Sequence, residues 1–449
     1  MDASDSLSVG AKNRRHFVII NSLWFSAGLW FAEVAVRGGT SPPTVAFANV
    51  RVFDGSRVLE GRSVIVRDGK IATVARQAKI PQNADVTGGT GRTLLPGFID
   101  AHVHLAADPN LKRPLIFGVT TVLDMFSPPS RVAELKKQVN GPEGAQLVDF
   151  RSAMIGVTAP GGHGTQFGIP IPTLSDACHA QEFVDARIAE GSDYIKIICE
   201  DGKEIPRPIP TLDRDTLRAV VDAAHKRKKL AVVHVHRLEW AREAVAAGAD
   251  GLVHVWCDEL PTPEFYGWVA RKRAFVVPTL NINQVLDGIA GGKPLTTNAQ
   301  FVAFLSKEDI DHLSKFISST NPARKVHYEV ARQAVQGLHH AGVSILAGTD
   351  APNPGTLQGV SLHREVELLV QAGLSPVEAL AAATSVPAQK FRLRDRGRIA
   401  RGLRADLLLV EGDPTKDILA TRNIVGVWKA GQHVDRAGYR RTIQEASKY

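Results

Sequence analysis

Hydrophobic and polar positions alternate in two different styles along the chain. From Thr44 to Thr93 the apolar residues fall in short, strand-like runs: Val45-Ala46-Phe47-Ala48-Asn49-Val50-Arg51-Val52-Phe53, Ser63-Val64-Ile65-Val66 and Lys70-Ile71-Ala72-Thr73-Val74. Asp54-Gly55 and Asp68-Gly69 punctuate them as turns, so this stretch predicts hairpins of a small β domain. The same style returns near the other end, in Gly397-Arg398-Ile399, Ala405 to Val410 and Ile424 to Gln432. Between these halves apolar strands alternate with helical patterns, which predicts βα units around a parallel sheet. The expected strands are a short run after Pro96-Gly97, then 118–124, 147–152, 194–198, 230–236, 251–255, 275–279 and 344–350. Helices are expected at Leu238 to Ala247 and Val360 to Ala372. The stretches Gly156 to Ser175 and Asn281 to Thr320 are long for plain connections and are expected to be active-site loops or lids.

The first 43 residues fit neither style. Lys12, Arg14 and Arg15 precede an apolar run from Phe17 to Ala32, which as a helix would span only about 24 Å, short of a roughly 30 Å hydrocarbon core. A basic flank before a short apolar segment reads first as an export signal, placing the protein in the periplasm or outside the cell. An uncleaved membrane anchor is the second reading, since Glu33 intrudes and no clean Ala-x-Ala follows, and a mis-assigned start is the third. Arg37 to Pro43 reads as a linker. Four segments result: 1–43, 44–93, 94–392 and 393–449, the second and last being halves of one β domain.

Composition changes little. Hydrophobic residues at 44% and charged residues at 22% are ordinary for a globular chain. The net charge of +8 comes with no basic run interleaved with aromatics, so no nucleic-acid partner is expected. Lys226-Arg227-Lys228-Lys229 reads as a solvated helix end. Cys178, Cys199 and Cys257 cannot make a disulfide framework.

The chemistry starts at Pro96-Gly97-Phe98-Ile99-Asp100-Ala101-His102-Val103-His104. Side chains two apart on a strand share a face, so two imidazoles at the strand end can grip one metal ion. A lone His-x-His pair is close to chance in a chain with 15 histidines. The ends of the later strands add Lys196, His234 and His236, His254 and Asp350. In a (β/α)8 barrel those ends carry the chemistry. The set His-x-His, Lys, His, His, Asp, in this order, resembles the binuclear members of the amidohydrolase superfamily. Gly118-Val119-Thr120-Thr121-Val122, Gly161-Gly162-His163-Gly164 and His234-Val235-His236 are similar to the imidazolonepropionase-related branch, with its Xaa-Pro dipeptidases and ochratoxin-type amidases.

The resemblance, which covers Thr44 to about Val434, implies an α/β fold: a (β/α)8 TIM barrel inserted into a small composite β-sandwich built from both chain ends. It implies two divalent metal ions, zinc favoured, held by His102, His104, Lys196, His234, His254 and Asp350. An ammonium cannot ligate a metal, and the resemblance supplies a carbon dioxide-derived carbamate on Lys196 as the bridge. His234 precedes His254 by 20 residues, a prolidase-like spacing, and is assigned as the ligand, with His236 as the alternative ligand of that strand. His236 and His163 are assigned to the substrate pocket. A metal pair generates hydroxide at neutral pH, and Asp350 would serve as catalytic acid and base in cleaving an amide or peptide-like C–N bond of a dipeptide or N-acyl amino acid. A homo-oligomer and a transient membrane contact of the N-terminus are further expectations.

Some positions depart from the family pattern. Val253 stands where many relatives have Glu, and Leu123 where an Arg is common, which bears on the substrate. The main rival is a mononuclear deaminase or cyclic-amide hydrolase of the same fold. Deaminases tend to place Glu three residues after the strand-five ligand, where this chain has Arg237. A non-catalytic structural relative is a third reading, disfavoured because every ligand is kept.

Overall fold

The computed structural model describes residues 44–446 apart from positions 109, 206, 319, 320 and 322. The expected export segment and linker, residues 1–43, lie outside the described residues. Among the described residues no helix is long and apolar enough to cross a membrane.

The two β-rich ends of the chain form one eight-stranded mixed sheet. Val45–Phe53 lies centrally, antiparallel to Val58–Arg67 and parallel to both Asp85–Gly88 and Arg92–Pro96. The seam between the chain ends is an antiparallel ladder running from Arg92↔Glu411 to Pro96↔Leu407. Leu94–Pro96 therefore belongs to this sheet rather than to the parallel strand that follows. Phe47, Val52, Val64, Val66, Leu94, Leu407 and Trp428 pack into its apolar core, and bulges interrupt the pairing of its first two strands between Phe47 and Val52.

At Gly97 the chain leaves the mixed sheet. Its N–H donates to the Asp406 carbonyl at 2.8 Å, and a Cβ there would lie 2.4 Å from the Thr120 hydroxyl. Only glycine allows this approach. Parallel strands follow: Phe98–Val103, Val119–Asp124 and Asp149–Ser152 form one set, and Ile195–Ile198, Ala231–His234, Gly251–Val253 and Phe275–Val277 another. All seven lie inside the expected ranges and are shorter than them. Val157 links the sets, donating to the Lys196 carbonyl at 2.8 Å and accepting from Ile198 N–H at 2.9 Å.

The expected eighth strand is not a regular strand. Residues 344–347 still hydrogen-bond on both sides, with Leu346 N–H donating to Val276 and Ala101 N–H to Ala347, both at 2.9 Å. Regular pairing then lapses: Thr349 N–H is shared between the Asp100 carboxylate at 3.0 Å and the His102 carbonyl at 3.2 Å, and Asp350 takes a positive φ of 58°. Ile99, Ala101, Leu123, Met125, Val232, Val253, Val277 and Leu346 share one apolar cluster. Helices such as Arg214–Lys226, capped by Asp213, bury residues at three- and four-residue spacing in a second, larger cluster.

Asn281 to Thr320, expected to be an active-site loop or lid, is largely helical and lines the cavity described below through Ile282, Leu286 and Ile317. Its described part holds helices at Leu280–Leu286, Lys293–Thr296, Ala299–Val302 and Lys307–Leu313. The first is anchored by the buried Glu365 carboxylate, which accepts from Leu280 and Asn281 N–H at 2.9 Å each. Leu295, Phe301 and Leu313 are fully buried. The Gly and Pro breaks hid helices of one or two turns. Gly156 to Ser175 is irregular, as expected, apart from a single turn at Thr165–Phe167.

Candidate metal centre

Two groups of side chains meet at the C-terminal ends of the parallel strands. His102, His104 and Asp350 form one; His234, His236 and His254 form the other. Within each, one potential ligand atom per residue lies within 4.8 Å of the rest. The His102 and His254 rings, 4.7 Å apart by centroids, join the groups.

Backbone bonding sets the first group. The His102 carbonyl accepts from Asp350 N–H at 2.8 Å, and His104 N–H donates to Ala351. Asp100, beneath them, accepts from His102 N–H at 3.2 Å and from the Thr349 hydroxyl at 2.7 Å. Burial raises its pKa to about 7 despite these bonds. Asp350 Oδ1 lies 2.8 Å from His104 Nε2 and 3.2 Å from His102 Nε2. Burial opposes the charge on Asp350, but the imidazoles of His102 and His254 and the bond to His104 hold its carboxyl well below the usual range.

In the second group, burial pushes the pKa of His234, His236 and His254 down, so all three are neutral ligands-in-waiting. His254 Nδ1 meets the Thr279 hydroxyl at 2.7 Å, which leaves Nε2 for the cavity. His234 Nε2 lies 3.0 Å from Glu200 Oε2, and His163 Nδ1 lies 2.8 Å from the same oxygen. His163 thus leaves its loop to stack on His234, centroids 5.1 Å apart. His236 keeps a buried Nε2 with no hydrogen-bond partner.

Lys196 is 3% exposed and sits beside Val232 in the parallel ladder. Burial, opposed by Asp350 and Glu200, lowers its pKa to about 7. The donor set fits divalent metal. His102 is wholly buried, burial lowers its pKa to about 3, its Nδ1 has no partner and its Nε2 faces only Asp350 at 3.2 Å. An imidazole so poorly satisfied is costly to bury unless something coordinates it.

All eight residues singled out in the sequence line one cavity of about 560 Å³. Sequence reasoning missed Glu200 and Glu204, which line it too. The signal was the acidic run Cys199-Glu200-Asp201-Gly202-Lys203-Glu204, directly after the fourth strand. Cys199 and Cys257 are buried. Of the outlying histidines, His225 is exposed and paired with Asp250, and His339 is half-buried against Glu378.

The sequence profile described as Amidohydrolase family matches residues 93–434. The ochratoxinase of Aspergillus niger is 24% identical over 446 residues, covering 87% of this chain and 86% of that enzyme. The imidazolonepropionase of Deinococcus deserti is 24% identical over 409 residues, covering 84% and 92%. Among solved structures, a Xaa-Pro dipeptidase with methionine bound in its active site superposes with a TM-score of 0.70 at 21% identity, over 87% of this chain and 99% of that one. With the profile spanning most of its length, the chain belongs to the amidohydrolase family.

Proposed function

We propose that the chain is a binuclear metal-dependent hydrolase of amide or peptide-like C–N bonds, acting on dipeptides or N-acyl amino acids. The observation that carries this reading is the wholly buried His102, whose Nδ1 has no partner and whose Nε2 faces only Asp350, set among His104, His234, His254, Lys196 and Asp350. These six would hold two ions, Lys196 as a carbamate, and a histidine-rich set favours zinc. Bound divalent ions would lower the pKa of a water and polarise the scissile carbonyl. Asp350 takes a proton from the attacking water as the C–O bond forms and delivers it to the departing nitrogen as the C–N bond breaks. The orphaned Nε2 of His236 and the loop residue His163 meet polar atoms of the substrate.

In the same reading the parallel strands close a (β/α)8 barrel, and the mixed sheet forms a composite β-sandwich around it. Residues 1–43 export the protein, on the strength of their charge and apolar pattern alone. The similarity to an ochratoxinase and to a Xaa-Pro dipeptidase supports the amide class. Arg237, at the position where deaminases tend to carry Glu, pairs with Asp201 at 2.8 Å and is absent from the cavity lining, which disfavours the deaminase reading.

The test is metal analysis of purified protein with a screen of dipeptides and N-acyl amino acids. Close to two divalent ions per chain and cleavage of members of either class are expected. One ion, with activity insensitive to bicarbonate, would refute the binuclear reading.

A further inference from the structure

We propose that Glu200 and Glu204 receive a cationic group of the substrate, an ammonium or guanidinium, at the wall of the metal cavity. This rests on the hydrolase reading above and narrows its substrate class.

Glu204 is 1% exposed and lines the cavity, yet both of its carboxylate oxygens are buried without a hydrogen-bond partner. Burial and the neighbouring Glu200 push the Glu204 pKa up to about 7, so the two acids are costly to hold as a pair of carboxylates until a cation and its hydrogen bonds arrive together. Glu200 stands beside it: one oxygen from each acid and a ring nitrogen of His236 lie within 4.8 Å of one another. Oε2 of Glu200 is engaged by His163 and His234. Lys203 and Arg237 both pair with Asp201, at 3.0 and 2.8 Å, while Arg207 lines the same cavity from an exposed position. The cavity wall around the acids is apolar, with Ile205, Ile209, Ile317 and Val326. A bare metal ion has no use for such a wall, whereas the alkyl stem of a lysine or arginine packs along it and carries its charged end to the acids.

The cation could be the side chain or the free α-amino group of the substrate, and the test separates them. With metal-loaded enzyme, kcat/KM is compared for alanine dipeptides carrying lysine or norleucine at either position, and for alanyl-norleucine with a free or formylated amino terminus. One arm should favour the cationic member on the order of tenfold to a hundredfold, the worth of a charged hydrogen bond. Glu204→Gln should collapse that ratio towards one, and Glu204→Asp should retain part of it. Equal rates in every wild-type pair, or a ratio that survives Glu204→Gln, would overturn the inference. So would loss of a metal equivalent in Glu204→Gln, which would make the acids a metal site. If neither dipeptides nor N-acyl amino acids are cleaved, the hydrolase reading fails, and calorimetry with 6-aminohexanamide against hexanamide decides the rest. Saturable binding of the amine alone, lost in Glu204→Gln, keeps the cation site; no difference between the two removes it.

Discussion

Asp149 opens the third parallel strand and ties it to the C-terminal half of the mixed sheet. Its Oδ1 lies 2.8 Å from Lys429 Nζ, its Oδ2 lies 2.8 Å from Arg396, and Arg404 pairs with the same Oδ2. Lys429 and Arg396 are almost wholly buried. Asp395 and Asp406 complete the cluster on Arg396 and Arg404, so three cations meet three carboxylates. Asp149→Asn keeps the shape and removes one negative charge, leaving buried Lys429 without its carboxylate. Breaking one partner out of a buried ion pair costs about 3–5 kcal/mol. Unfolding entropy near 2.1 cal/mol/K per residue, over roughly 400 residues, gives about 0.85 kcal/mol per degree, so Tm should fall by about 4–6 °C at pH 7. The pH dependence has a definite sign. Burial would raise the Asp149 pKa, but Arg404, Lys429 and Arg396 outweigh it and hold the carboxyl far below the usual range. A depressed carboxyl stabilises the fold above its unfolded pKa near 4, and that contribution fades as pH falls towards the folded value. The gap between wild type and variant should therefore be full at pH 7 and shrink by about 1.4 kcal/mol per pH unit below about 4. Thermal melts of both proteins across this range are the assay. A shift under about 1 °C at pH 7 would refute the reasoning.

Asp350→Asn should lower kcat by about 10²–10⁴-fold while atomic analysis still finds most of the metal; near-normal kcat would remove Asp350 from proton transfer. Lys196→Ala should lose activity that acetate or propionate partly restores and acetamide does not, because a small carboxylate supplies the two oxygens and the negative charge of a carbamate. A purely structural lysine predicts a lower Tm with no rescue instead. Deleting residues 1–40 should leave a soluble, metal-binding protein, measured by yield and metal content, and an insoluble product would undo the export reading.

The ligand order was legible because of how parallel strands pair. Each of the strands Ile195–Ile198, Ala231–His234, Gly251–Val253 and Phe275–Val277 pairs with its sequence neighbour, so walking along the chain is walking across the sheet. A residue at the end of an apolar run then lands beside the end of the next run, which brings His234 and His254 together, while Lys196, in register with Val232, stands two residues further down the strands. The mixed sheet was legible by the same two-residue period, although its seam at Arg92–Pro96 was not, because the partner strand lies more than 300 residues away. The eighth strand was overdrawn: Ser344 to Asp350 has the composition of a strand, but Thr349 N–H is shared between the Asp100 side chain and the His102 carbonyl where a regular ladder would continue. His163, Glu200 and Glu204 were harder to place for a different reason. They sit beyond the strand ends, on chain whose path is set by contacts such as Val157 with Ile198 and the hydrogen bond from Arg207 N–H to Gly202. Periodicity carries no record of those contacts. The proposed ligands His102, Lys196, His234 and His254 occupy positions that the sheet dictates, whereas His163, Glu200 and Glu204 occupy positions that tertiary packing dictates. The proposed metal chemistry could therefore be read along the chain, while the cationic substrate group emerged only once Glu204 was seen buried, unpaired and facing the cavity.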